Sequence, residues 1–114
     1  MAATRITVVE TKAFTAAAKG RMKPPEVDAI IDVLAAEPEC GDLIRGTGGL
    51  RKVRFAVGGK GKRGSVRVVY YFYNETMPVF LLTVFAKNEK DNLSKAERNA
   101  LAKVARTIRE SYGE

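Results

Sequence analysis

Three stretches decide the fold: RKVRFAV (Arg51–Val57), SVRVVYYFY (Ser65–Tyr73) and VFLLTVFAK (Val79–Lys87). In the first, Val53, Phe55 and Val57 alternate with Lys52, Arg54 and Ala56. A period of two puts successive side chains on opposite faces of a strand. The second sets Arg67, Val69, Tyr71 and Tyr73 against Val66, Val68, Tyr70 and Phe72. The third is nearly all apolar, as expected of a central strand covered on both sides, and its Lys87 shares a face with Phe85 and Thr83. GGKGKRGS (58–65) reads as a hairpin loop and Asn74–Pro78 as a turn, so the three strands form an antiparallel meander.

Outward from the meander the period changes. Thr4–Glu10 is β-branched and reads as a short strand. Thr11–Lys19 is Ala-rich, closes at Gly20 and offers Phe14 as a core anchor, which predicts a short helix. Pro24-Pro25 introduces a second helix from about Pro25 to Glu37, with Val27, Ile30, Ile31 and Leu34 on one stripe. Residues 39–49 read as loop. Ser94-Lys-Ala-Glu97 has the form of a capping box and opens a last helix to about Glu110. The expected order is β-α-α-β-β-β-α, an α+β domain over residues 1–114 with helices packed on an antiparallel sheet.

Composition excludes several chemistries. The 114 residues contain no His and one Cys, which removes imidazole bases, His metal sites, disulfides and Cys-rich zinc sites. Cys40 sits between Glu37, Glu39 and Asp42, surroundings that disfavour a thiolate, and reads as a structural or incidental thiol. The longest apolar run, Val79–Ala86, is too short to span a bilayer, and the N-terminus lacks the form of a signal peptide. A cytoplasmic protein is expected.

The charge is uneven. Lys and Arg number 20 against 13 Asp and Glu, a net +7. Between Asp42 and Glu75 there is no acid, while Arg45, Arg51, Lys52, Arg54, Lys60, Lys62, Arg63 and Arg67 all fall there. The remaining 12 cations are balanced by the 13 acids, so the whole excess lies in one third of the chain. Concentrated like charge costs energy and points to a polyanionic partner, nucleic acid first, with a solubility feature or a contact for an acidic protein as the alternatives.

Lys52 and Arg54 share a strand face, Arg67 lies on the next strand, and Lys87 ends the third. These four cations can converge on one patch, with Tyr71, Tyr73 and Phe85 as stacking surfaces for unpaired bases. They fit equally well as the polar side of half-exposed strands whose aromatics pack under a helix. RNA can be cut by such a group without metal or histidine. The 2′-OH attacks the adjacent phosphate, and Lys or Arg groups neutralise the charge that builds on its oxygens. GGKGKRGS is not a nucleotide-binding P-loop, because the G-x-x-x-x-G-K-[ST] spacing fails and the segment joins two strands.

The segments LIRGTGGLRKVRF (43–55), GKGKRGSVRVVYYFY (59–73) and PVFLLTVFAKNEKDNLSKAERNAL (78–101) resemble the HigB branch of the RelE toxin superfamily. The resemblance implies a RelE-like fold. It also implies a metal-independent mRNA endoribonuclease that cuts message in the ribosomal A site, with no small-molecule cofactor and no membrane. The partner would be a helix-turn-helix, HigA-like antitoxin. Lys52 then stands as general base, Arg54 as a phosphate contact, Arg67 as the transition-state arginine, and Lys87 near the group that assists the leaving oxygen. Arg51, Lys60, Lys62, Arg63, Phe85 and Lys90 are carried as RNA-binding candidates. The family's tyrosine position falls near Leu93, a departure that leaves Lys87 or Lys90 to share proton transfer. The alternative is a non-catalytic RNA- or DNA-binding regulator, whose expression would neither arrest growth nor truncate transcripts.

Overall fold

A computed structural model describes residues 5–58 and 64–113. Leu50–Val57 (β3), Gly64–Tyr71 (β4) and Val79–Ala86 (β5) form the expected antiparallel meander. Two short strands extend it. Val8–Glu10 (β1) runs parallel to β5, and Asp42–Leu43 (β2) pairs antiparallel with β3, giving the order β1-β5-β4-β3-β2. The sheet is therefore mixed. β2 falls inside the segment expected to be loop. Its two residues are too few to show any alternation.

The helices are Lys12–Ala18 (α1), Pro24–Ala36 (α2) and Lys95–Ser111 (α3). Local chemistry fixes their starts. Thr11 Oγ1 accepts from Phe14 N, and Pro24 and Pro25 occupy the first two positions of α2. At α3 Ser94 Oγ accepts from Glu97 N while Glu97 Oε1 accepts from Ser94 N, the reciprocal box expected from the sequence.

One face of the sheet packs on α1 and α2. Val66, Val68 and Tyr70 meet Phe14, Ile30 and Leu34, with Val53, Phe55 and Val57 at the edge. The other face packs on α3 through Tyr71, Leu82 and Ala105, and through Val69, Phe85 and Leu93. Leu82 and Phe85 are three apart, which strict alternation would put on opposite faces. The register slips between Val69 and Tyr70, where Val69 pairs with Thr83 but Tyr70 with Leu81. This bulge turns both side chains toward α3.

The chain between α2 and β3 is pinned from beneath. The fully buried Tyr70 donates its hydroxyl to the Pro38 carbonyl at 2.8 Å and accepts from Gly41 N at 2.9 Å. A Cβ on Gly41 would lie 2.7 Å from Tyr70 Oη and 2.8 Å from the Lys52 carbonyl, so only glycine fits. Burial pushes the Tyr70 hydroxyl up to about 12.

Candidate nucleic-acid interface

The strand register brings the basic residues together. Arg54 pairs with Arg67, and Arg67 pairs with Phe85; the next row is Lys52, Val69, Thr83. Strands lie about 4.8 Å apart, so the two arginines rise side by side from one face, with Lys52 two residues along. Like charges directly opposite one another are destabilising. Arg67 NH1 donates to Ser65 Oγ at 3.1 Å. Lys87 follows β5, where its backbone N–H donates to the Ser65 carbonyl at 3.1 Å. That bond fixes the lysine beside the start of β4. Arg54, Ser65 and Lys87 line a cleft of about 810 Å³. Among the described residues, the side chains of Arg54 and Lys87 make no hydrogen bond or ion pair.

Lys52 looks the other way along the same face. Its Nζ donates to Asn92 Oδ1 at 2.5 Å, and it lines a second cleft with Arg45 and Arg98. Of the four cations proposed from the sequence, Lys52, Arg54 and Arg67 thus share one face of the sheet; Arg54 and Lys87 line the first cleft, Lys52 lines the second, and Arg67 lines neither. The segment between them, 88–93, is held at both ends. Arg21 grips Glu89 through Nε and NH2 at 2.6 and 2.7 Å, and Glu89 Oε1 also accepts from Ala86 N at 2.8 Å. The Arg21 guanidinium, with the Ala86 N–H, holds the Glu89 carboxyl down at about 2. At the other end Leu93 is buried against Val69 and Phe85.

The remaining candidates are placed differently. Arg51 faces away from Lys52, and its NH1 donates to the Glu39 carbonyl at 3.0 Å and the Gly41 carbonyl at 2.7 Å. It braces the chain after α2. Phe85 is 4% exposed, and Lys90 covers its ring with Nζ 5.2 Å from the centroid. Lys90 is also paired with Glu97, holding that carboxyl below its usual range. Lys60, Lys62 and Arg63 lie outside the described residues. Cys40 is exposed and its thiol is pushed up, first by partial burial and further by Glu37. Sequence reading overlooked Arg21, Asn92 and Arg98. Each acquires its position from a tertiary contact, which no local pattern reports.

A family model described as "RelE toxin of RelE / RelB toxin-antitoxin system" matches residues 6–113. The chain belongs to the RelE toxin family. Among solved structures it is similar to the toxin RelE of E. coli, a doubly arginine-to-alanine-substituted form in the free state. The identity is 15% and the TM-score 0.54, with 85% of this chain and 97% of that chain covered. At that identity the likeness concerns the RelE fold, which three helices on a five-stranded mixed sheet reproduce here. Among the described residues no helix is long and apolar enough to cross a membrane.

Proposed function

We propose that this RelE-family toxin is a HigB-like mRNA interferase, an endoribonuclease that cuts message in the ribosomal A site. The observation that carries the reading is the cross-strand pair Arg54–Arg67, with Lys52 and Lys87 on either side. A scissile phosphate seated between the arginines would have its developing charge neutralised by two guanidiniums. The 2′-oxygen forms its bond to phosphorus as the bond to the 5′-oxygen breaks. Lys52, oriented by Asn92, is the candidate acceptor of the 2′-OH proton after its own ammonium has given up a proton to solvent. Lys87 is the candidate donor to the leaving 5′-oxygen, since Lys90 is already engaged by Glu97. No step needs a metal or cofactor. The ribosome would supply the alignment of hydroxyl and phosphate that a shallow, open site does not impose by itself.

The same exposed cations suit an acidic segment of a helix-turn-helix, HigA-like antitoxin, which would inhibit by covering them. A ribosomal substrate places the activity in the cytoplasm. Arg67→Ala is expected to lower single-turnover cleavage on translating ribosomes by about 10²-fold or more. A rate within a few-fold of wild type would overturn the mechanism. Intact transcripts and normal growth on expression of the wild-type chain would favour the non-catalytic regulator.

A further inference from the structure

We infer that the cleft lined by Arg45, Lys52 and Arg98 is a second nucleotide subsite, taking the RNA residue next to the one cut. The inference deepens the nuclease reading and rests on it. The cleft measures about 500 Å³, and among the described residues no carboxylate lines it. Arg45 is exposed and makes no hydrogen bond or ion pair among the described residues. Arg98 is anchored by NH1 on the Leu93 carbonyl at 3.1 Å, which leaves its other donors for a ligand. Lys52 is steadied by Asn92. Asp42 stands opposite Lys52 across β2 and β3, yet none of the three cations forms an ion pair among the described residues, and an arriving anion relieves their mutual repulsion.

Apart from Asn92, the rest of the lining is apolar. Leu43, Ile44 and Leu93 form it, and Leu43 is 62% exposed. A cationic rim over an aliphatic floor matches the two halves of a nucleotide, an anionic phosphate and a flat base. Lys52 and Arg54 are two residues apart on one face of β3, roughly 7 Å along the strand. A single RNA strand crossing β3 would therefore meet Arg54 and Arg67 with one phosphate and the Arg45–Arg98 pair with its neighbour.

The test uses a fluorescein-labelled 2′-O-methyl trinucleotide, which binds without being cut because the attacking hydroxyl is blocked. Its affinity for the full chain is measured across salt, beside the half-saturating toxin concentration for cleavage on programmed ribosomes. Arg45→Glu is expected to weaken trinucleotide binding about tenfold or more and to raise the half-saturating concentration similarly. Arg45→Ala should lower the salt slope by about 0.7, the value of one single-strand phosphate contact. Leu43→Ser should weaken binding with the slope unchanged. Lys103→Glu, the same charge change on an exposed position of α3 away from this lining, should do neither.

Wild-type affinity and slope in the Arg45 variants would overturn the subsite, even with Arg67→Ala inactive as expected. Trinucleotide binding that depends on Arg45, in a wild type that leaves translated message intact, would overturn the nuclease reading and keep the site. A polyglutamate peptide that binds as tightly and loses affinity equally in Arg45→Glu would overturn it in favour of an acidic protein segment.

Discussion

The two faces of β4 are built from alternate residues of one strand and do opposite work. Val66, Val68 and Tyr70 look toward α1 and α2 and are fully closed off with Phe14, Ile30 and Leu34. Arg67 looks the other way, across from Arg54, on the face whose Arg54 and Lys52 border open clefts. The first face lowers the energy of the fold. The second spends some of that stability on cations that repel each other, an arrangement expected where function rather than folding selects the residue.

The largest effect is expected on the closed face. Leu34→Ala removes a fully buried side chain from the α2 stripe and should cost about 2–5 kcal/mol in urea unfolding. Arg67→Ala on the open face should leave stability nearly untouched while abolishing most cleavage. Equal destabilisation by both would erase the distinction.

Tyr70→Phe comes next. It keeps the ring in the core but removes the hydroxyl that accepts from Gly41 N and donates to the Pro38 carbonyl. An unsatisfied buried N–H costs about 1–3 kcal/mol. The loss should appear both in unfolding free energy and as faster amide exchange at Gly41. Unchanged exchange would mean that Arg51, which bonds the Gly41 carbonyl, is enough to hold this segment.

These two variants also mark what the chain revealed in advance. The alternation in 51–57 and 65–73 assigned Val66, Val68 and Tyr70 to one side and Arg67 and Val69 to the other, because a period of two needs only local sequence. The same reading put Lys52, Arg54, Arg67 and Lys87 on one face. It did not reveal that Phe85 and Lys90 are engaged by the core and by Glu97, nor that Arg51 is turned to carbonyls of the preceding loop. Lys90 lies 7 positions from Glu97, and Arg51 lies 10 and 12 from the carbonyls it meets, so strand alternation reports none of these contacts. The bulge opposite Val69–Tyr70 was equally hidden. In an all-apolar strand such as 79–86, a slip in register leaves no trace in the pattern.

Arg54→Gln sharpens the contrast with a smaller effect of opposite sign. Removing one of two directly opposed cations should leave unfolding free energy unchanged or raise it by up to about 1 kcal/mol, while RNA cleavage falls. A clear loss of stability would show that Arg54 contributes to the fold as well as to the cleft.

Glu89→Gln carries the smallest expected effect and probes the turn after β5. The Glu89 carboxylate joins α1 to the turn that presents Lys87, through Arg21 and the Ala86 N–H. Folding lowers this carboxyl from 4.5 to about 2, so the folded state favours its ionised form. The stabilisation is therefore fully present above about pH 5 and is lost as pH falls through about 2. The difference in stability between wild type and Glu89→Gln should be constant from about pH 6 to 8, shrink below about pH 5 and level off only below about pH 2. Faster exchange of the Ala86 amide in the variant should accompany it. A pH-independent difference would assign the effect to lost packing at the turn, and the charge on Glu89 would then have no part in holding Lys87 at the cleft.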